Sequence, residues 1–418
     1  MAKQVQQIQE YLCQYIKGQN HVIKLIAILL TNRDRIERLR QSDIEIDFPK
    51  EELTPPNLML IGPSGSGKTE LTKRIAEICN RFWFRMPCTT LSATGYVGKS
   101  VDDILTLAVE SAMRKVKERI RKEIVEHKLD KLLLQATKPS LITKSYLKGI
   151  ETYVKAYKTN PNHPVLNEYI VATISESVFT FDPKGNKVIM GVEQKEVKDT
   201  VKNIIEKLIE GELINQQNEI QKEAIKIVEN GIIMLDEIDK IVGGRIDNVS
   251  MYGVQRELLA LVEGSIFYTK YGPVNTKSIL FISAGAFQVV SPDEMLPELK
   301  GRFPIQVELK PLTKEDFIEI LKQSKLSPLK KFQAIMKSDG INIEFTDDAI
   351  EYLAEYAEKL NEQEQIGARR LWELFDKHLI DLYLLDKDTV ITKEMLQKML
   401  EKQTTNKKQV YFPYELYR

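Results

Sequence analysis

The chain has 418 residues, of which 43% are hydrophobic and 29% charged, and its 60 lysines and arginines balance its 60 aspartates and glutamates. This length predicts two or three domains, and the neutral balance argues against nucleic acid or a membrane surface as a partner. A polar start, no apolar run of about 18 residues, and three cysteines and four histidines without zinc-ligand spacing predict a cytoplasmic protein.

The first part of the chain is predicted to contain helices and buried strands. Residues 1–40 are predicted to form one or two helices, and the acidic, proline-containing segment 41–56 has the composition of a linker. NLMLIG (57–62) predicts a buried strand, which a glycine-rich turn joins to a helix that ends near Ile78. RFWFRM (81–86) predicts a second strand.

The middle of the chain departs from this pattern. Apolar residues at every fourth position from Ile104 to Ile124 predict a long amphipathic helix. Prolines interrupt residues 136–195, where DPKGN (182–186) predicts a hairpin turn, and helical periodicity returns over 201–228. We interpret this stretch as a domain inserted into an α/β core.

The core pattern then resumes, and a helical region follows it. Buried strands are predicted in GIIMLDEIDK (231–240), in SILFIS (278–283) and over 305–309, with a helix over 253–263. After Pro311 the sequence is mostly helical, apart from one short strand-like TVIT.

The segment GPSGSGKT (62–69) has the most specific chemical pattern. It matches G-x-x-x-x-G-K-[ST] between a predicted strand and a predicted helix, which is the context of a phosphate loop. Its glycines let backbone N–H groups converge on phosphate oxygens at a helix N-terminus. Lys68 is then predicted to reach the β and γ phosphates of ATP, and the Thr69 hydroxyl to take Mg²⁺.

The segment IIMLDEID (232–239) supplies a complementary acidic pair. Its apolar residues end in Asp236 and Glu237, so both carboxylates are predicted at the C-terminal edge of a buried strand, where open α/β sheets bind ligands. Acidic pairs often only cap helices. Beside a phosphate loop, however, this pair predicts an aspartate that holds Mg²⁺ and a glutamate that activates water.

Two arginine positions are candidates for contacting phosphate. Arg302 lies in the turn PELKGRFP, where it is either a surface residue or a finger that stabilises charge on a transferring phosphoryl group. Arg369 and Arg370 open a helix in IGARRL. Their charges oppose the helix dipole there, which suggests an anionic partner such as a nucleotide phosphate.

The segment ATGYVGKS (93–100) places an aromatic residue between glycines. Gly95 and Gly98 favour a turning backbone, so Tyr96 and Val97 are predicted to lie on a mobile, exposed loop. The alternative is that the tyrosine packs beneath the loop.

Taken in chain order, these motifs resemble the HslU (ClpY) family of ring-forming AAA+ ATPases. The resemblance covers nearly the whole chain and is weak only within residues 106–223. It implies an ATP- and Mg²⁺-dependent ATPase, not itself a peptidase, that forms a homohexamer and threads protein substrates into the HslV threonine peptidase. Tyr96 would then grip the substrate polypeptide in the central pore, with Val97 supporting it.

The same resemblance implies the fold class and the domain boundaries. An α/β core of the AAA+ P-loop NTPase type, with a parallel sheet, would occupy residues 1–105 and 224–309. Residues 106–223 would form an inserted, mostly helical domain, and residues 310–418 a C-terminal, α-rich small domain.

The family's site residues carry over to matching positions in this chain. The residues implied to bind the nucleotide are Lys17, Gly65, Ser66, Gly67, Lys68, Thr69, Glu70, Asp236, Glu298 and Arg369, with Thr69 and Asp236 also holding Mg²⁺. The implied catalytic residues are Lys68, Glu237, Arg302 and Arg369. Glu298 and Arg302 would face the nucleotide of a neighbouring subunit, and Arg369 would be a second sensor.

Three departures from the family pattern bear on these expectations. Lys17 replaces an apolar residue, so only backbone contacts to adenine are expected there. Ser283 and Ala284 stand in the reverse of the usual order, which weakens the assignment of a polar sensor. The final ELYR, ending at Arg418, lacks the three apolar residues with which the family docks into HslV, so weakened HslV binding is expected.

Other functional classes remain open. A ClpX-type unfoldase for another peptidase is disfavoured because the chain has no N-terminal Cys₄ module, and because the segment between Glu263 and Ser278 is short. A non-degradative remodelling or scaffold protein would explain the short tail. A DNA-translocating motor is the weakest alternative, given the neutral charge.

Overall fold

The computed structural model describes residues 2–53, 55–92, 98–137, 144–181, 187–242 and 249–405. Tyr96, Val97 and the C-terminal ELYR, for which we made predictions, lie outside these stretches. The chain divides into two compact units. The first comprises residues 1–104, 229–267 and 275–418, and the second comprises 105–228 and 268–274.

The strands of the described residues are short except for one hairpin. In chain order they are β1 (Leu58–Ile61), β2 (Trp83–Pro87), β3 (Tyr169–Phe181), β4 (Lys187–Thr200), β5 (Ile232–Asp236), β6 (Ile266–Thr269), β7 (Gly272–Asn275), β8 (Leu280–Gly285), β9 (Ile305–Glu308), β10 (Ile343–Phe345) and β11 (Thr389–Ile391).

Helices make up most of the remaining structure. In chain order they are α1 (Ala2–Cys13), α2 (Asn20–Gln41), α3 (Lys68–Ile78), α4 (Asp102–His127), α5 (Leu129–Thr137), α6 (Lys144–Thr159), α7 (Val201–Asn215), α8 (Gln217–Glu229), α9 (Val249–Val262), α10 (Pro297–Gly301), α11 (Lys314–Gln323), α12 (Pro328–Ser338), α13 (Asp347–Gln363), α14 (Arg369–Glu373) and α15 (Lys393–Thr405).

The first unit is built on a five-stranded parallel sheet in the order β2-β5-β8-β1-β9. Strands β5 and β8 are buried along their whole length, which explains why their sequences are nearly continuous apolar runs. Because all five strands are parallel, their carboxyl ends meet at one edge. That edge is where a doubly wound sheet binds its ligand.

Two apolar clusters stabilise this unit. The first joins the sheet to α1, α2 and α3 through side chains such as Leu12, Ile26 and Leu71. The second lies in the C-terminal part and is built from residues of α11 to α15 together with β10 and β11, including Phe317, Phe332 and Leu371. The C-terminal region therefore has an apolar core of its own.

The second unit combines helices with a long antiparallel hairpin. Strands β3 and β4 pair from Tyr169 opposite Thr200 to Phe181 opposite Lys187, with an irregularity at Val178 and Phe179. The hairpin is confirmed and is longer than the segments that predicted it, while its turn lies outside the described residues. Helix α7 begins immediately after β4, where the Thr200 hydroxyl accepts a hydrogen bond from the Asn203 N–H at 3.3 Å.

The predicted fold class is confirmed, with local differences from the sequence-based expectation. The helix predicted over 253–263 begins earlier, within α9, and the segment between Glu263 and Ser278 contains the hairpin β6–β7, which was not predicted. The boundaries 106–223 and 310–418 remain predictions. No helix in the described part of the chain is long and apolar enough to cross a membrane.

Candidate nucleotide site

The loop between β1 and α3 has the backbone conformation that its glycines predict. Gly65 and Gly67 have φ values of +71° and +101°, in the left-handed region, and α3 begins at Lys68 directly after Gly67. The first N–H groups of α3 have no partner within the helix, so they face the loop with the positive end of the helix dipole. This is an anion-binding geometry.

Lys68 folds back over the loop. Its Nζ donates hydrogen bonds to the carbonyl oxygens of Gly62 and Pro63, the second at 2.8 Å. Burial lowers the pKa of Lys68, and the nearby Asp236 partly opposes this shift. The ammonium is therefore held at the phosphate loop by groups that a phosphate oxygen can replace.

Asp236 is buried at the end of β5, and both of its carboxylate oxygens are engaged. Oδ1 accepts the Glu237 N–H at 3.0 Å. Oδ2 accepts the Thr69 hydroxyl at 3.3 Å and pairs with Arg85 Nε at 2.7 Å. The first turn of α3, the end of β5 and the middle of β2 are thus joined at one carboxylate oxygen.

Glu237 differs sharply from its buried neighbour. It is exposed, and its backbone lies in the left-handed region, with φ +57° and ψ +37°, which is unusual for a residue that has a Cβ. Its Oε2 accepts a hydrogen bond from the Thr89 hydroxyl at 3.1 Å. The strained turn therefore directs the carboxylate away from the strand and towards the end of β2.

A cavity of about 660 Å³ connects these groups. The predicted nucleotide-binding residues that line it are Lys17, Gly65, Ser66, Gly67, Lys68, Thr69, Glu70, Asp236 and Arg369, and Glu237 lines it as well. The wall also includes apolar and aromatic side chains, namely Tyr15, Ile16, Leu312, Ile320 and Trp372. A polar, glycine-rich wall and an apolar wall suit the two ends of a nucleotide.

Two basic residues, Arg74 and Lys17, lie beside the aromatic part of this cavity. The Arg74 guanidinium lies 3.9 Å from the ring centroid of Tyr15, and the same arginine pairs with Glu70 and Glu77. Lys17 lines the cavity, but its Nζ donates to Gln323 Oε1 at 3.1 Å. Its charge is therefore used in a contact with α11.

The C-terminal region packs directly against the phosphate loop. The Ala368 N–H donates to the Gly65 carbonyl at 3.0 Å, and Arg369 Nη1 lies 3.4 Å from the Ser64 hydroxyl. Arg370 is buried and bonds instead to the Glu364 carbonyl and to Glu373. Of the two adjacent arginines, only Arg369 lines the cavity.

Glu298 and Arg302 are absent from the described residues that line the cavity. Arg302 is half exposed at the end of α10, and its Nη2 pairs with Glu263 Oε1 at 2.6 Å. Tyr96 and Val97 lie outside the described residues. Among the described residues, Glu298 and Arg302 therefore lie outside the lining of the chain's own site, and the roles of Tyr96 and Val97 stay predictions.

Sequence reasoning missed several residues of this site. Arg85 lies in the middle of β2 and Thr89 in the turn that follows it, and only the alignment of β2 beside β5 brings them to the acidic pair. Asp239 lay within a quoted motif but received no role. It is buried, and its Oδ1 accepts the Ala286 N–H at 3.1 Å. For Thr89 and Asp239 the available signal was position, since each follows a strand at the same sheet edge. Arg85 lies within its strand and carries no such signal.

The site combines a glycine loop at a helix N-terminus with an acidic pair on the adjacent edge of a five-stranded parallel sheet. This combination defines a P-loop ATPase of the AAA class. A family model for the AAA domain (Cdc48 subfamily) matches residues 169–322.

Comparison with curated proteins identifies the family. The chain is 38% identical to the ATP-dependent protease ATPase subunit HslU of Persephonella marina over 90% of this chain and 89% of the relative. It is 36% identical to that of Caldanaerobacter subterraneus over 94% and 95%, and 38% identical to that of Rhizobium leguminosarum over 88% of each chain. The chain belongs to the HslU family. It is an ATPase, and the resemblance seen in its motifs is confirmed.

Proposed function

We propose that this protein uses ATP hydrolysis to unfold other proteins and to thread them through the pore of a homohexamer into an HslV-type threonine peptidase. The observation that carries the proposal is the single cavity that joins the phosphate loop, the acidic pair and Arg369. The printed name of the relatives, ATPase subunit of an ATP-dependent protease, supports the partnership with a peptidase.

Thr69 and Asp236 are proposed to hold Mg²⁺ with the nucleotide. These two residues fit Mg²⁺, because a hydroxyl and a carboxylate oxygen 3.3 Å apart at the phosphate loop are the hard oxygen ligands that the ion prefers. The ion, when bound, neutralises charge on the phosphate oxygens. Lys68 adds a positive charge at the β and γ phosphates when its Nζ leaves the two loop carbonyls.

Glu237 is proposed to orient and deprotonate the attacking water. It is the exposed member of the acidic pair, and its carboxylate receives a hydrogen bond from Thr89. A carboxylate at the mouth of the phosphate site is the position that a general base needs. Glu70 lies in the first turn of α3 and pairs with Arg74, so its proposed nucleotide contact is at the edge of the loop.

Two arginines are proposed to contact phosphate from different sides. Arg369 approaches from the same chain, beside Ser64. Arg302, with Glu298 nearby on α10, is proposed to act on the site of a neighbouring subunit, because it does not line its own cavity and is half exposed. We also propose residues 106–223 as an inserted domain, and residues 310–418 as a small domain with the separate apolar core described above.

Tyr96 provides the test of the threading function. Tyr96→Ala should retain nucleotide binding and assembly, because the phosphate loop is unchanged, and should lose ATP-dependent unfolding of a tagged fluorescent protein in the presence of added HslV-type peptidase. Tyr268→Ala is a matched control, since Tyr268 is an exposed tyrosine outside the described cavity lining. Unfolding at the normal rate by Tyr96→Ala would contradict the role of Tyr96 in gripping the substrate, and no unfolding by the unmodified chain would favour a remodelling or scaffold protein instead.

A further inference from the structure

Arg85 is a charged residue of this site that neither the motifs nor the proposed function uses. It lies on β2, lines the nucleotide cavity, and its side chain is 37% exposed, whereas that of its partner Asp236 is 8% exposed. Its Nε contacts Asp236 Oδ2 at 2.7 Å, the same oxygen that accepts the Thr69 hydroxyl. The guanidinium therefore occupies the carboxylate oxygen that is proposed to hold Mg²⁺.

The other carboxylate oxygen of Asp236 is engaged by the backbone. Oδ1 already accepts the Glu237 N–H at 3.0 Å, a bond fixed by the tight turn after β5. A cation that binds Asp236 at Oδ2, the oxygen that also contacts Thr69, must displace Arg85. Arginine stays protonated at any physiological pH, so it cannot leave by losing a proton. It can leave only by moving into the cavity.

We propose that Arg85 is a positioning residue that neutralises Asp236 before nucleotide binds and competes with Mg²⁺ for Asp236 Oδ2. This inference rests on the proposed role of Asp236 as the metal-holding carboxylate. Without Arg85, the buried carboxylate attracts a dication more strongly, and it repels metal-free phosphates more strongly. Both effects increase the affinity for Mg-nucleotide relative to the affinity for metal-free nucleotide.

The test uses two dissociation constants for AMP-PNP, measured by calorimetry on the full chain. The ratio of interest is the value in excess EDTA divided by the value in excess Mg²⁺. Arg85→Met should raise this ratio about fivefold, the effect of one partly exposed ion pair. Arg85→Lys keeps the charge but not the planar guanidinium, so its ratio should lie between those of the wild type and Arg85→Met. This second variant also keeps the test usable if Arg85→Met folds poorly.

Two further variants separate the possible outcomes. Arg81→Met is a matched control, because Arg81 precedes the same strand and pairs with Glu37, outside the cavity lining. Its ratio should equal that of the wild type. Asp236→Asn should lower the ratio and make it insensitive to Arg85→Met. An unchanged ratio in Arg85→Met, with a lowered ratio in Asp236→Asn, overturns the competition alone. An unchanged ratio in Asp236→Asn overturns the proposed metal role, and this inference with it.

Discussion

Asp236 and Glu237 are adjacent in sequence but have opposite surroundings. Asp236 ends a buried strand and is surrounded by hydrogen-bond donors, whereas Glu237 is exposed and turns through a left-handed backbone conformation. Lys68 lines the same cavity, and its ammonium is bonded to carbonyl oxygens of the phosphate loop. These different environments predict different effects of substitution.

Lys68→Ala and Glu237→Gln should separate binding from hydrolysis. Lys68→Ala removes a charged hydrogen bond to phosphate, so ATP affinity should fall about tenfold or more, and turnover should fall with it. Glu237→Gln keeps size and polarity but removes the base, so ATP should bind normally while hydrolysis slows by roughly 10²- to 10⁴-fold. Affinity from calorimetry and phosphate release check both. Wild-type hydrolysis by Glu237→Gln would contradict the role of Glu237.

The backbone of Glu237 predicts a conflict between activity and stability. At φ +57°, glycine avoids the steric cost that any side chain incurs. Glu237→Gly should therefore be more stable than Glu237→Ala by roughly 1 kcal/mol, which raises the thermal midpoint by about 1–2 °C in a chain of this size. Both variants lose the carboxylate and its bond to Thr89, so the comparison isolates the backbone. Equal midpoints would show that the turn relaxes without cost.

At the scale of elements, the C-terminal region contacts the phosphate loop through its backbone as well as through the Arg369 side chain. The turn before α14 packs so closely that a Cβ on Gly65 would lie 1.8 Å from the Ile366 carbonyl oxygen, and a Cβ on Gly367 would lie 2.5 Å from the Gly65 carbonyl carbon. Such contact leaves no room for any side chain at either position. We therefore expect a shift of the loop on nucleotide binding to be accompanied by a shift of this turn.

Gly367→Ala should weaken nucleotide binding, and Gly340→Ala should not. Both glycines have positive φ values, +57° and +81°, so each substitution should cost roughly 1 kcal/mol from backbone strain alone, and Gly367→Ala should cost more because of its steric contacts. A Cβ on Gly340 meets nothing within 4 Å, whereas one on Gly367 collides with the phosphate loop. Nucleotide affinity and thermal midpoint should be measured for both variants. Equal affinities would mean that the loop and the turn separate without consequence for binding.

At the scale of the whole molecule, the proposed hexamer assigns Arg302 to a site that its own chain does not contain. Within the chain, Arg302 pairs with Glu263, and both side chains are partly exposed. An exposed ion pair of this kind contributes little to stability, so the arginine can exchange its partner at modest cost. A phosphate on an adjacent subunit would be a stronger partner than Glu263.

Mixing Arg302→Ala subunits with Glu237→Gln subunits tests this assignment. Each variant alone should be nearly inactive, since an arginine finger contributes roughly 10³-fold or more. In mixed rings, some Arg302→Ala subunits would receive Arg302 from a Glu237→Gln neighbour, and ATPase activity should partly recover. Mixing Arg302→Ala with a Lys68→Ala, Arg302→Ala double variant is the control, because no interface then gains an arginine. No recovery in confirmed hexamers would indicate an arginine that acts only within its own chain.

The sequence by itself determined the features that depend on residues close together in the chain. The phosphate loop, the apolar strand that ends in Asp236 and Glu237, and the amphipathic helix α4 each depend on residues a few positions apart, so local conformation and periodicity predict them. Family membership followed from the order of such motifs. The hairpin β6–β7 escaped prediction because its short strands are partly exposed.

Only the tertiary structure decided which distant residues share the site. Arg85 and Asp236 are 151 residues apart, and their contact exists because β2 and β5 are neighbours in the sheet. The apolar wall likewise combines Tyr15 with Trp372, from opposite ends of the chain. Side-chain type and spacing carry no information about such pairs. They arise when the strands of the sheet and the C-terminal helices pack together, because that packing buries apolar surface from segments that are remote in sequence.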